Sequence, residues 1–436
     1  MGADSTSVAN FLLNQYRGPI REVFESGEDF FKLLLSKRKD ARGGNIKVPI
    51  HTARNWGFAS LADGDTLPEA GNQSIQLLDV DPKLSYQRVR ISGPAMLRTE
   101  GGPSKAFKDA VSYETTQGLT MMRKQLNRQA WGSEEGFIAK VKSRDSGTVL
   151  TLYAPGEAVG TNDWGTGQGG VHNAGTRHLY GGEGMKVAII DSDRSTIHNV
   201  NQTVSAVDRS AETVTLSGTI AAAVAVGDFL ALHNPNKNTS STWSSNELEG
   251  AASGIDATTV RTTYHGLSRS TYPLLKANVD SSTSLRDFSE GLGLKVLETV
   301  HKNCGETPTG GGGWCWYFSN GVYLALQAQM LPFRRSTMGG SVKAGQEVDM
   351  LGGVPIKRDN DMPYETVYLI KEDALELYAI DGPEFVSNLD GKVFLRVSDA
   401  DAAEARLRWY GEAVFGEPQM HAVIRQLNET PVKIRG

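Results

Sequence analysis

The sequence predicts an α+β protein built from one long helix, one extended β-hairpin and a small β-barrel or sandwich. Three stretches carry this prediction. Residues 102–132 place Phe107, Val111, Leu119, Met122, Leu126 and Ala130 at three- or four-residue spacing, the stripe of an amphipathic helix. Residues 44–98 hold strand-like runs on both sides of a turn-rich segment, as in a long hairpin. Residues 134–235 contain two similar units, FIAKVKSRDSGTVLTLYAP and TVSAVDRSAETVTLSG, which read as related hairpins of one β domain.

Composition sets the frame. The chain has 436 residues, 39% of them hydrophobic and 22% charged, which is enough apolar material for packed cores. Its 48 glycines predict many turns and joints. A net charge of −5 supplies no excess of Lys and Arg for gripping nucleic acid. Two cysteines, Cys304 and Cys315, imply a fold independent of disulfides and a reducing compartment. MGADSTSVANFLLNQY lacks the basic-then-apolar order of a signal peptide, and no apolar run is long enough to span a membrane.

In chain order, residues 1–43 read as an arm. Its helix covers Ile20 to Lys39, with Ile20, Val23, Phe24, Phe30, Phe31, Leu34 and Leu35 as the apolar set and Gly27 as a weak point. SKRKDARGG is its charged, glycine-rich exit. In residues 44–98, NIKVPI is the outgoing strand; QSIQLLDV and KLSYQRVRISG are the return. NWGFASLADGDTLPEAGN lies between them. Such a hairpin has too little core to stand alone and must lie on the body or on a neighbouring subunit. The helix of residues 99–133 starts at Pro103, is interrupted by Thr115, is weakened by Gly118 and stops at Gly132. Residues 134–235 are the β domain. Within 236–300, Leu285, Phe288, Leu292, Val296 and Val300 form one helical face, with Gly305 past its end. Residues 301–384 hold the TPTGGGG joint, the strand WCWYFS and the short helix GVYLALQAQML; residues 385–436 are strand-like.

No active site emerges, so catalytic, cofactor and metal residues are all assigned as none. GTGQGG at 165–170 has no strand before it and no helix after it, so it reads as a loop. His172 and His178 share a loop without further ligands, and two thiols are too few for structural zinc. Asp191 and Asp193 read as a solvated strand end. Asp359 and Asp361 flank Asn360 ahead of Met362-Pro363, a turn composition.

The order of arm, hairpin, long helix and β-rich body resembles the major capsid proteins of tailed bacteriophages, the Hong Kong 97-type fold. GGNIKVPIHTARN is similar to that family's entry into its extended loop, and KQLNRQAWG to the end of its spine helix. AGQEVDMLGGVPIKRDNDMPYETVYLI resembles its peripheral turn and following strand. The resemblance implies an N-terminal arm (1–43), an extended loop (44–98), a spine helix of the peripheral domain (99–133) and an inserted β-barrel domain (134–235). It further implies a continued peripheral domain (236–300), an axial domain (301–384) and closing strands (385–436). It implies a non-enzymatic chain that self-assembles as pentamers and hexamers into an icosahedral virion head around double-stranded DNA, in the host cytoplasm and without a membrane. The short region ahead of the arm implies a separate scaffolding protein or none; portal and decoration proteins are further partners. The inter-subunit contacts it implies are Trp56, Phe58, Leu61, Leu67 and Glu69 of the loop and Phe24, Phe30 and Phe31 of the arm. Its hinges are Gly43, Gly44, Gly101, Gly102, Gly310 and Gly311. Lys47, Lys83 and Asn360 do not match the family's crosslinking pattern. The alternative reading is a β-rich carbohydrate-binding or carbohydrate-active protein, suggested by the duplicated hairpins and Trp164.

Overall fold

A computed structural model describes residues 29–41, 46–94, 104–154, 175–179, 181–192, 196–233, 243, 245–336, 350–386, 394–397 and 400–429, without the side chains of 29, 104–113, 330–336 and 381. The centre of the body is the helix Ser104–Trp131 seated on a five-stranded sheet. The sheet's long strand, Ala402–Phe415, pairs antiparallel with Lys83–Ser92 and with Leu375–Phe385. Arg38–Asp40 adds a parallel edge to Leu375–Phe385. One face of the sheet points Val89, Leu407 and Trp409 at the helix, where they share a core with Met122, Leu126, Ala130 and Trp131. Gly118 sits at the closest approach. A Cβ there would lie 2.8 Å from Val89 Cγ2 and 3.4 Å from Leu407 Cδ1. The residue that weakens the helix by propensity is therefore the one that lets it reach the sheet.

Two expectations are corrected by the pairing. Only Ser74–Val80 returns along Ile46–Ala53; Lys83–Ser92 leaves the hairpin and joins the body sheet. The reason is burial: Val89 and Ile91 find a core under the long helix, which a free hairpin lacks. The arm helix covers Asp29–Ser36 among the described residues and ends before Lys39, where the chain becomes the edge strand.

The expected helix of the 236–300 region runs over Glu290–Cys304 only; Leu285 and Phe288, expected on its face, precede it, although Phe288 enters the same core. Ser289 Oγ caps it by accepting the Leu292 N–H at 3.2 Å, and Gly305 closes it at φ 77°. It and the helix Asn320–Ser336 share a core with a six-stranded sheet. That sheet runs in the order Asn278–Asp280, Ala422–Ile424, Val367–Lys371, Trp314–Phe318, Val354–Arg358, Met350–Leu351.

The β domain is a closed barrel of six strands: Phe229–Leu232, Phe137–Arg144, Val149–Leu152, Thr213–Leu216, Ile197–Asp208 and Lys186–Ile190. The two similar sequence units are two hairpins joined through their second strands. Val141, Leu150, Leu152, Val187, Ile189, Val204 and Val214 fill the interior. The chain leaves for the barrel at Gly132 and comes back to the same helix end. There Arg128 pairs with Glu247, and Leu248 enters the core beside Trp131. Gly250 has no room for a side chain, since a Cβ would lie 2.3 Å from the Gln129 carbonyl oxygen.

Two predictions follow from this packing. Gly118→Ala should destabilise the subunit by up to about 2 kcal/mol despite its better helix propensity, because an overpacking cost of about 1–3 kcal/mol outweighs the roughly 1 kcal/mol propensity gain. Equal or greater stability in chemical denaturation would contradict the seating described. His421 is buried and neutral: its Nδ1 accepts the Lys371 N–H at 3.2 Å and its Nε2 lies 3.0 Å from the Gly416 carbonyl oxygen. Burial pushes its pKa down to about 4. Between that value and the ordinary 6.5 the unfolded chain binds more protons than the folded one, so stability falls as pH falls through this window, by about 3 kcal/mol at most. Unfolding curves at pH 7 and pH 4 should show this loss in the wild type and less of it in His421→Gln.

Candidate assembly interface

The hairpin is anchored at its root and unsupported at its tip. Ile46, Val48 and Ile50 alternate onto one face and, with Leu78 and Val80, pack on Tyr264, Leu275 and Val414 of the body. The Asp79 N–H donates to the His265 carbonyl at 2.9 Å, and Lys47 pairs with Asp79 at 2.7 Å. His265 and Gly266, at φ 40° and 83°, form the tight turn between Thr263–Tyr264 and Leu267–Ser268 that carries this carbonyl.

Beyond Ala53 the support stops. Residues 54–73 are held by short local bonds, such as Asn55 Oδ1 accepting the Gly57 N–H at 2.8 Å and Asp65 Oδ2 accepting the Ala62 N–H at 2.8 Å. Trp56 is 82% exposed, Phe58 84% and Leu67 81%; Leu61 and Glu69 are exposed as well. Ile75 and Leu77 continue an exposed apolar face along the return strand. A row of large apolar side chains this exposed on one loop is the kind of surface that favours being covered.

The other predicted contact residues fall elsewhere. Phe30 and Phe31, expected at a subunit boundary, are 1% and 0% exposed within their own subunit. Phe30 stacks on Trp131 with ring centroids 4.1 Å apart, and Phe31 packs edge-on to Trp409 at 6.0 Å. The assignment to a neighbour is therefore corrected: the arm helix delivers both rings into the central core. Phe24, Gly43, Gly44, Gly101 and Gly102 lie outside the described residues. Gly310 and Gly311 begin the turn after the Glu290–Cys304 helix. Gly310 donates to the Gly353 carbonyl at 3.1 Å and would place a Cβ 2.8 Å from Pro355 Cδ, whereas Gly311 faces open space.

Sequence reading missed two polar sites. Asp359 and Asp361 do lie at the expected turn, but both are buried acceptors. Asp359 Oδ2 accepts the Phe30 N–H at 3.2 Å, and Asp361 accepts from Asn127 Nδ2 at 2.8 Å and from Arg177 at 3.1 Å. Burial pushes the Asp361 carboxyl up to about 6. The second site is a cavity of about 190 Å³ at the hairpin root, lined among others by Lys83, Glu134, Glu249, His265 and Glu412. Lys83 pairs with Glu134 at 2.8 Å; burial lifts Glu412 well above the carboxylate range. Neither site has a full local motif, because most of its members are far apart in the chain and meet only in the fold. Cys304 and Cys315 are free thiols, and burial raises Cys315 to about 12.

The chain has the fold of a phage capsid subunit. It aligns over 95% of its length with 97% of a chain from the capsid asymmetric unit of cyanophage A-1(L), at a TM-score of 0.57 and 11% identity. A chain from the capsid of the native GTA particle aligns over 94% of both chains, with a TM-score of 0.48 and 7% identity. The fold assignment rests on the cyanophage likeness. No protein-family model matches the chain, and no curated protein matches it.

Replacing Trp56, Phe58 and Leu67 together by Ser should leave the unfolding midpoint of the isolated subunit within about 0.5 kcal/mol of wild type, since surface side chains without partners contribute little. A loss of several kcal/mol would show that the tip packs on its own body.

Proposed function

We propose that this chain is a major capsid protein of the Hong Kong 97 type, which assembles as pentamers and hexamers into the icosahedral head of a tailed phage around double-stranded DNA. The observation that carries the reading is the anchored hairpin with an uncovered apolar tip, on a body with a phage-capsid fold. In this reading the hairpin is the extended loop, lying across a neighbouring subunit. The helix Ser104–Trp131 is the spine of the peripheral domain. The axial domain is residues 301–384, which supply four strands of the six-stranded sheet, and the barrel is an insertion between the spine helix and the continued peripheral domain at 236–300. Gly311, with open space around it, is the better hinge of the 310–311 pair. The role is structural rather than enzymatic, and the location is the virion. DNA is enclosed without sequence-specific binding, in keeping with a net charge of −5. A scaffolding protein, a portal and decoration proteins are the partners this role brings.

The carbohydrate reading is not supported. The capsid likeness covers 95% of the chain. Trp164, its aromatic support, lies outside the described residues.

Deleting residues 55–72 tests the proposal. Negative-stain images should show rings or shells for the intact chain, with its scaffolding partner if one is needed, and none for the deletion, whose subunit keeps its far-ultraviolet spectrum. Normal shells from the deleted chain would refute the role given to the hairpin.

A further inference from the structure

Asp191, His198 and Asp228 meet at one rim of the barrel. Asp191 follows strand Lys186–Ile190, His198 lies at the start of Ile197–Asp208, and Asp228 precedes Phe229–Leu232. One ligand atom from each lies within 4.8 Å of the others. His198 Nε2 is 3.3 Å from Asp228 Oδ2 and 4.0 Å from Asp191 Oδ2.

Each side chain is held in place by its surroundings. Asp228 is buried; its Oδ1 accepts the Ser192 N–H at 3.2 Å and its Oδ2 the Ala225 N–H at 2.9 Å. A carboxylate oxygen can accept twice, so Oδ2 keeps one position beside the histidine. Ser192 Oγ donates to Asp191 Oδ1 at 3.2 Å, leaving Oδ2 as the atom on the histidine side. The His198 side chain is only 10% exposed, and among the described residues its imidazole makes no hydrogen bond.

Distance separates two explanations. A charge-assisted bond between imidazolium and carboxylate closes to about 2.7–2.9 Å. Two ligands each about 2.0–2.1 Å from a tetrahedral ion stand about 3.3 Å apart. The His198–Asp228 separation of 3.3 Å matches the second, and the His198–Asp191 separation of 4.0 Å would have to close by about 0.7 Å around the same ion.

We propose that the barrel rim binds one divalent ion of the zinc type through His198 Nε2, Asp191 Oδ2 and Asp228 Oδ2, with water completing the shell. One nitrogen and two oxygens suit zinc and its first-row neighbours better than calcium. The ion would tie together the ends of three barrel strands, so binding is coupled to the stability of the domain.

The full chain, stripped with a chelator, is titrated with Zn²⁺ by calorimetry and with Co²⁺ by visible absorption. One equivalent should bind, with cobalt d–d bands that report nitrogen ligation. His198→Gln and Asp191→Asn should each weaken binding at least tenfold, and His198→Gln should alter the cobalt spectrum. Asp191 lies at a half-exposed turn, so its Asn variant keeps the barrel folded, as far-ultraviolet circular dichroism checks. No binding by the wild type, or equal binding by both folded variants, would overturn the proposal.

Discussion

Everything else in the subunit is positioned by the seat of one helix on one sheet. Met122, Leu126, Ala130 and Trp131 meet Val89, Leu407 and Trp409 there, and Phe30 and Phe31 close the same core from the arm. Asn127 is the polar counterpart of that contact. Its Oδ1 accepts the Phe31 N–H at 2.8 Å while its Nδ2 donates to Asp361. Arg177, outside the barrel strands but within the excursion between Gly132 and Glu247, reaches the same Asp361. Arm, long helix, six-stranded sheet and barrel excursion therefore share one buried network. Leaving any of these buried groups without its partner costs about 1–3 kcal/mol. The cost falls on the junction rather than on one element.

The hairpin follows the opposite economy. Its root is packed and hydrogen-bonded to the turn at His265–Gly266, while its tip exposes Trp56, Phe58 and Leu67. A lone subunit gains nothing from those rings, and exposed apolar surface of this kind favours association. On the proposed reading, subunit folding and assembly draw on different residues, so each can be altered without the other. The barrel is a third unit with its own core, attached where the long helix ends.

Much of this order was legible in the sequence, and the reasons are physical. The long helix announced itself by a stripe repeated over seven turns, and Gly305 marked the end of another helix through capping chemistry, whereas its start at Ser289 was not read. The barrel was visible as two similar hairpins. What stayed hidden depends on distant partners. Nothing local distinguishes Ser74–Val80, which stays in the hairpin, from Lys83–Ser92, which crosses to Ala402–Phe415 more than 300 positions away. Phe30 and Phe31 look alike whether they meet a neighbour or their own core. Asp359 and Asp361 have turn composition, and only the fold brings Asn127 and Arg177 to them. Gly118 reads as a weak point until the sheet behind it is known.

The most direct measurement is a cryo-electron microscopy reconstruction of shells formed by the intact chain. The account predicts that the 54–73 tip crosses onto an adjacent subunit, with Trp56 and Phe58 losing most of their exposure there. A tip folded back on its own body, or left in solvent inside a closed shell, would contradict it.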